Sequence, residues 1–287
     1  MDLAKLIELR RLNFQEIIKV GVPNVDSYTF EDYLKTGYEH RPLIGYCVSC
    51  ENKKINSSAD DKKFRLTNIS HGTHSSDFFI ALKEKYDVSK WHPEPVMFIY
   101  ECPSLDYGIY KEVPFQGYAK HPTKEWYWIH EDQDPIKYPS MFSGGQYGGF
   151  VLSAILTFKL ANVYITNLVK CGLNNRKGEF RGIGYYRDDC VKNCYEKVLS
   201  KELAIIKPKI VFAVGSAVED WLLYLAKDVS ILQQLPHPAG RRRGFRDEHY
   251  KALYFWLTVR ALHKAGIVSI EEGSQLARTF LEQYDEE

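Results

Sequence analysis

Four short apolar runs, separated by helix-like stretches, constrain the fold of this chain more than any other feature. Each has the length of a strand, and the β-branched and aromatic residues in them are typical of buried strands. Strands that alternate with helices pair in parallel and are covered by helices on both faces. The pattern therefore predicts a three-layer α/β/α domain with a central four-stranded parallel sheet. The runs are VMFIY at 96–100, VYITN at 163–167, IVFAVG at 210–215 and ILQQL at 231–235.

Three of these runs lead into a polar side chain that can do chemistry. Glu101 follows the first run, Asn167 closes the second, and His237 follows the fourth between two prolines. The carboxyl ends of parallel strands share one edge of a sheet, where ligands bind, so we expect the three to converge. A carboxylate there is a candidate general base, with a helix cap or surface residue as the alternative. The amide of Asn167 can donate and accept at once, as reading the edge of a base requires.

A basic loop and a long aromatic segment accompany this predicted edge. The loop HPAGRRRG contains Arg241, Arg242 and Arg243, which either contact phosphates or form a solvated basic turn. The formal net charge of +1 excludes a uniformly basic nucleic-acid binder but allows such a local stripe. Residues 106–149 are rich in aromatics, proline and glycine, and a connection of this length indicates a lid or a binding loop.

The spacing of the cysteines suggests a metal or cluster site. Cys47 and Cys50 form a Cys-x-x-Cys pair, which in a reducing compartment points to a metal or an iron–sulfur cluster. Together with His71 and His74, the pair also has the outline of a zinc site. The gap between the two pairs is longer than in zinc fingers. We therefore favour exposed loop positions for the two histidines.

The rest of the chain predicts a helical extension before the α/β/α domain. Residues 1–94 form the expected extension, which carries the Cys-x-x-Cys pair and packs on the core, and the domain spans 95–287. No apolar run approaches the roughly 20 residues of a membrane span, and the amino-terminal sequence is unlike a signal peptide. We expect a cytoplasmic monomer. Amphipathic stripes and polar stretches predict a first helix that ends by Gly21, a loop at 172–189, and helices at 190–206, 217–226, 245–264 and 273–284.

Four motifs follow one another along the predicted strands: YECPS at 100–104, ITNLVKC at 165–171, IIKPKIVFAVGSA at 205–217 and HPAGRRRG at 237–244. In this order they resemble motifs of the uracil-DNA glycosylase superfamily, most nearly its iron–sulfur family-four branch. The first is similar to the family's Gly-Glu-Ala-Pro-Gly motif and the second to its strand-end asparagine and Lys-Cys pair. The third is similar to the stretch that leads to its third strand, and the fourth to its closing His-Pro-Ser motif. The resemblance covers roughly residues 95–265 and the Cys-x-x-Cys pair.

The resemblance implies a [4Fe–4S] cluster. The family's four ligands correspond to Cys47, Cys50, Cys171 and Cys194 in this sequence. Cys190 lies one helical turn before Cys194 and is the alternative fourth ligand. Ligation of a cluster by four thiolates suits a reducing compartment.

The resemblance also implies a role for each polar residue in cleaving an N-glycosidic bond. Glu101 would stabilise the sugar cation and direct the attacking water, and His237 would contact the carbonyl oxygen of the departing base. Asn167 would read the edge of a base that has left the stack. An aromatic residue, for which Phe142 is the candidate, would stack on that base, and Cys102 would line its pocket. Lys170 and the three arginines would contact the DNA.

Departures from the family motifs leave the target base open. Tyr100 and Ser104 replace glycines of the first motif, Cys102 replaces its alanine, and the following segment is longer than in typical uracil enzymes. A longer lining would admit a larger base. The expected partner is DNA containing uracil or a modified pyrimidine, such as a glucosylated hydroxymethylcytosine of phage DNA in antiviral defence. The alternatives are a non-catalytic module that recognises modified DNA and a zinc-stabilised protein that binds RNA or protein.

Overall fold

The chain folds around a parallel sheet whose strands are separated in sequence by helices. The computed structural model describes residues 3–13, 15–16, 86–101, 154–170, 173–174, 180–181, 188–237 and 248–285. A π-helical turn, Tyr195–Leu199, lies between the helices Asp188–Cys194 and Ser200–Ile206. The helices are Leu3–Asn13 (α1), Asp188–Cys194 (α2), Ser200–Ile206 (α3), Ser216–Leu225 (α4), Glu248–Lys264 (α5) and Ile270–Asp285 (α6). The strands are His92–Tyr100 (β1), Leu160–Asn167 (β2), Leu173–Asn174 (β3), Phe180–Arg181 (β4), Ile210–Val214 (β5) and Leu232–Leu235 (β6).

The main sheet has the strand order β2-β1-β5-β6, and every neighbouring pair is parallel. The predicted four-stranded parallel sheet is therefore confirmed. The register places Tyr100 opposite Asn167, and Val214 opposite Leu235. All five residues of β5 are buried, as expected for a central strand with helices on both faces. The carboxyl ends of the four strands thus meet along one edge.

The first strand begins at His92, before the predicted start at Val96. Pro93 and Pro95 lie in this early part, where β1 pairs only with β2 and the register shifts between His92 and Pro95. Pairing with β5 starts at Val96. Proline has no N–H to donate, so it is tolerated where a strand has a single partner. The two prolines therefore lie inside β1, in the part that precedes its ladder pairing with β5.

Alternate residues of the strands face two separate helical layers. Met97 and Ile99 belong to a buried cluster with residues of α1, α2, α3 and α4, which we call the first face. Val96 and Phe98 belong to a cluster with the helical residues 154–157, α5 and α6, which we call the second face. The three-layer α/β/α arrangement is thus confirmed. None of the helices described is long and apolar enough to cross a membrane.

Two local features differ from the sequence-based predictions. The predicted loop at 172–189 contains an antiparallel hairpin, in which Leu173 pairs with Arg181 and Asn174 with Phe180. Strands of two residues show too little alternation to be recognised in a sequence. The predicted helix at 190–206 begins at Asp188, and its middle turn is π-helical.

Candidate active site

The turn that follows β2 ties the ends of the two neighbouring strands together. The N–H of Leu168 donates to the carbonyl oxygen of Tyr100 at 2.8 Å, and the N–H of Val169 donates to that of Glu101 at 3.0 Å. These two bonds continue the β1–β2 pairing past the last strand residue. Glu101 and Asn167 are consequently held side by side at the carboxyl edge of the sheet.

Gly215, the residue after β5, brings Glu101 and His237 together. A Cβ atom placed on this glycine would lie 3.3 Å from Glu101 Oε1 and 3.6 Å from both Cβ and Cδ2 of His237. The glycine adopts a φ of 105° and a ψ of 145°, close to a region that only glycine populates, and it starts α4. Its N–H donates to Leu235 O at 2.9 Å, which fixes the approach of β6. The carboxylate and the imidazole therefore face the same point, and only a residue without a side chain leaves that space open.

The environment of His237 favours its neutral form. Burial of the imidazole lowers the pKa of His237, and the nearby charge of Glu101 opposes this shift by raising it. The ring of Tyr100 meets the imidazole edge to face, with 6.3 Å between the ring centroids. The hydroxyl of Tyr250, on α5, donates to the backbone carbonyl of His237. A buried neutral imidazole with a fixed backbone has one N–H that can donate a hydrogen bond in a defined direction.

Asn167 is 3% exposed and lies opposite Tyr100 in the register. The preceding side chain, Thr166, bonds Glu202 on the first face. Because successive strand residues point to opposite faces, the amide of Asn167 is directed to the second face, as is the ring of Tyr100. This is the side from which Tyr250 reaches His237. Asn167, Tyr100 and His237 thus share one side of the sheet edge.

Lys170 is buried in the protein interior instead of lying on the surface. Its side chain is 7% exposed, and its Nζ lies 2.6 Å from Glu202 Oε2. The ammonium group also bonds Thr166 Oγ1. This placement gives Lys170 an internal ion-pairing role, which disfavours the predicted contact with DNA.

Two of the candidate cluster ligands are described, and both are buried. Cys190 is 1% exposed and Cys194 is 6% exposed, one helical turn apart on α2. They pack in the same first-face cluster as Leu168 and Val169, the turn residues that precede Cys171 in sequence. Within the residues that the structure describes, no group of three or more metal-binding side chains is assembled. Cysteine thiolates are the usual ligands of [4Fe–4S] clusters, so both residues have the donor chemistry that such a cluster needs.

Three residues that the sequence analysis did not single out belong to the site or hold its residues in place. The remaining candidate residues fall outside the described ranges. Gly215 is signalled in the sequence only as a strand-to-helix turn, and Tyr250 carries no signal because it contacts His237 from a helix that starts after it. Glu202 lies four residues from both Val198 and Ile206, a spacing that the sequence shows but that a stripe of uniform helical period does not select. The candidates outside the described residues are Cys47, Cys50, His71, His74, Cys102, Phe142, Cys171, Arg241, Arg242 and Arg243.

Comparison with known proteins identifies the family. The family model for the uracil DNA glycosylase superfamily matches residues 92–258, more than half of the chain, from the start of β1 into α5. A search of curated proteins gives no match. Among solved structures, the chain is similar to the crystal structure of wild-type SMUG2 from Pedobacter heparinus, at 14% sequence identity and a TM-score of 0.34. That match covers 74% of this chain and 83% of the other. With Glu101 and His237 at the carboxyl edge of its sheet, this chain belongs to the uracil DNA glycosylase superfamily, a superfamily of DNA glycosylases.

Proposed function

We propose that this chain is a monofunctional DNA glycosylase, which hydrolyses the N-glycosidic bond of a flipped-out uracil or modified pyrimidine and leaves an abasic site. The observation that carries the proposal is the convergence of the Glu101 carboxylate and the His237 imidazole on Gly215. Breaking an N-glycosidic bond develops positive charge on the sugar and negative charge on the base. An anionic group beside a neutral hydrogen-bond donor suits these two developing charges.

In the proposed reaction, the bond between C1′ and the base nitrogen breaks with its electron pair moving to the base. The carboxylate of Glu101 stabilises the sugar cation and accepts a proton from the water that forms the new C1′–O bond. The departing anion then takes up a proton from solvent, so that free base and an abasic sugar are the products. General base catalysis of this kind contributes about 10² to 10⁴-fold to a rate.

His237 is proposed to stabilise the departing base. Because burial lowers the pKa of His237, the imidazole is neutral near pH 7 and donates one N–H to the carbonyl oxygen on which negative charge accumulates. The bond from Tyr250 to the His237 carbonyl holds the backbone in place during this step. A single preorganised donor of this type is worth about 10² to 10³-fold in rate.

Asn167 is proposed to read the hydrogen-bonding edge of the flipped base. Its amide is buried beside Tyr100, so a wrong base would leave a buried polar group unsatisfied. Cys102 and an aromatic residue such as Phe142 are proposed to complete the pocket, and the three arginines at 241–243 to hold the DNA phosphates. The target base we propose is uracil or a larger modified pyrimidine, including a glucosylated hydroxymethylcytosine of phage DNA.

The test is mass spectrometry of free bases after incubation with a panel of otherwise identical oligonucleotides. The panel contains uracil, hypoxanthine, 5-hydroxymethylcytosine or glucosylated 5-hydroxymethylcytosine at one position. We expect release of one of these bases, and none from the unmodified oligonucleotide. Uracil would indicate a repair role and the glucosylated base a defence role. DNA that binds without releasing any base would instead support a non-catalytic recognition module.

The proposed neutral state of His237 predicts how the imidazole titrates and how the stability of the fold depends on pH. In the folded protein the imidazole is expected to titrate below its ordinary value of about 6.5, because burial disfavours the charged form. The stability linked to His237 is therefore complete above about pH 6.5 and is lost as the pH falls toward the lowered value. NMR titration of the His237 imidazole in the folded protein measures its pKa directly. Glu101→Gln removes the opposing negative charge, so it should move the titration lower still, and an upward movement would contradict the assignment.

We also propose that the chain holds a [4Fe–4S] cluster through Cys47, Cys50, Cys171 and Cys194. The π-helical turn that starts at the next residue supports Cys194 as the fourth ligand, since such turns occur often at functional sites. When bound, the cluster would link the amino-terminal extension to the turn after β2.

The two α2 cysteines provide a matched pair for testing this proposal. We expect Cys194→Ser to lose most of its iron and acid-labile sulfide, whereas Cys190→Ser retains them, because only one of the two thiols is a ligand. Iron and sulfide analysis of the purified variants measures the effect. The opposite result would make Cys190 the ligand, and zinc without iron or sulfide in the wild type would contradict the cluster.

A further inference from the structure

A network of hydrogen-bonded polar side chains lies within the otherwise apolar first face, next to the carboxyl edge of the sheet. Glu202 on α3 is 1% exposed, and its carboxylate lies 2.6 Å from Lys170 Nζ. The same carboxylate accepts hydrogen bonds from the hydroxyls of Tyr164, at 3.0 Å, and Thr166, at 3.1 Å. The network therefore joins one helix to three positions on β2 and the turn after it.

Such a network is an expensive way to stabilise a fold. Burying an ion pair carries a desolvation penalty that often offsets its attraction, and apolar residues of similar size often give equal or greater stability. Lys201, the neighbour of Glu202 on α3, forms a more ordinary ion pair nearer the surface. Its Nζ lies 2.6 Å from Glu16 Oε1, and the two side chains are 47% and 27% exposed. What the buried network adds over apolar packing is directionality, because hydrogen bonds fix positions that apolar contacts leave adjustable.

The positions fixed in this way are those that hold the candidate catalytic groups. Thr166 directly precedes Asn167, so anchoring its hydroxyl sets the orientation of the last strand residue. Lys170 closes the turn whose amides, at Leu168 and Val169, bond the carbonyls of Tyr100 and Glu101. Glu202 thus contacts residues on both sides of the segment that places Asn167 and Glu101.

We propose that Glu202 is a positioning residue, which through Thr166 and Lys170 locks the turn after β2 and thereby sets the separation of Asn167 from Glu101. The inference rests on the proposed glycosylase function, because its consequence is a rate. Asn167 is proposed to hold the base, and Glu101 to act at the sugar. Displacing one relative to the other should therefore slow bond cleavage while the DNA still binds. The effect is expected on the cleavage step and not on DNA affinity.

The test uses Glu202→Asp, which keeps the charge but shortens the side chain by one methylene. We expect the single-turnover release of the base identified by the panel to fall about 10- to 100-fold, the loss typical of a misplacement near 1 Å. DNA affinity should be unchanged. Lys201→Met is the matched control, because it removes an ion pair from the neighbouring position of α3 without touching β2, and its rate should equal the wild type.

An apolar version of the network separates positioning from folding. The quadruple variant Tyr164→Phe, Thr166→Val, Lys170→Met and Glu202→Met replaces the four described members together, so that neither Lys170 nor Glu202 is left as an unpaired buried charge. We expect wild-type thermal stability with a reduced cleavage rate. A wild-type rate in folded Glu202→Asp overturns the proposal, whether or not the quadruple variant folds.

Amide hydrogen exchange provides a readout that does not depend on activity. The amides of Leu168 and Val169 should exchange faster in Glu202→Asp than in Lys201→Met, because the turn they belong to is less firmly held. Unchanged exchange would contradict the positioning role. If the wild type releases no base from any oligonucleotide, the proposed function fails, and the exchange rates alone decide whether Glu202 fixes the turn.

Discussion

Glu101→Gln is expected to slow base release by orders of magnitude while DNA binding persists. Glutamine has the shape of glutamate but can neither accept the proton of the attacking water nor offset the charge on the sugar. The expected loss in the single-turnover rate is about 10² to 10⁴-fold, the range of a positioned general base. Quantification of free base under enzyme excess measures the rate, and a binding titration with the same oligonucleotide measures the affinity.

A matched control for this substitution lies on the same strand. Glu94→Gln makes the same chemical change near the amino end of β1, whereas Glu101 follows its carboxyl end. Base release by Glu94→Gln should equal that of the wild type. If Glu101→Gln retained the wild-type rate, or lost its rate only together with its affinity for DNA, the catalytic assignment of Glu101 would be wrong.

Gly215→Ala is expected to damage both activity and stability. The added methyl group would stand 3.3 Å from Glu101 Oε1, so the carboxylate must move by a few tenths of an ångström, and it would contact the His237 ring at 3.6 Å. The backbone at φ 105° also disfavours any residue with a Cβ, at a cost of about 1–3 kcal/mol. We expect a rate loss of about 10-fold, smaller than the roughly 100-fold that a 1 Å misplacement can cause, because the carboxylate has to move by only a few tenths of an ångström. Thermal unfolding and single-turnover base release measure the two effects.

Gly266→Ala distinguishes strain in the backbone from crowding of the site. Gly266 also has a positive φ, of 66°, but nothing lies within 4 Å of the position of its added Cβ. Its variant should lose about 1–2 kcal/mol of stability, the cost of a left-handed residue, and keep its rate. Equal rate losses in the two variants would show that Gly215 affects catalysis only through stability.

The position of the sheet edge was predictable because the strands are buried on both faces. Such strands have continuous apolar sequences, and the polar residue that ends each run is visible without knowledge of the fold. Glu101 and Asn167 come directly after or at the end of their strands, so the parallel topology is sufficient to make them neighbours. Their positions can therefore be predicted from local sequence patterns that are only five to eight residues long.

The helical region at 188–206 was harder to predict from the sequence, because the spacing of its buried residues does not follow a regular α-helix. Cys190, Cys194, Val198, Glu202 and Ile206 are all buried at a constant spacing of four residues. In an ideal α-helix each such step rotates the side chain by about 40°. The wider π-helical turn, Tyr195–Leu199, absorbs part of this rotation and keeps one face toward the core. A stripe drawn with a uniform period therefore assigns Leu203 to the core and overlooks Glu202.

Contacts between distant parts of the chain left no pattern to detect. The bond from Tyr250 to the His237 carbonyl depends on how α5 packs across the second face, which local propensity does not encode. The burial of Lys170 likewise depends on a carboxylate that lies 32 residues further along. A lysine beside candidate catalytic residues resembles a phosphate contact in sequence, and only its partner reveals a different role.

The in-register pairing of β1 and β2 has a consequence for the diversification of this fold. Seven residue pairs and the turn at 168–170 hold Glu101 and Asn167 in place, and these contacts come from the strands and the turn themselves. Because paired strands set this geometry, Glu101 and Asn167 can keep their relative positions in evolution while the sequence that connects them changes.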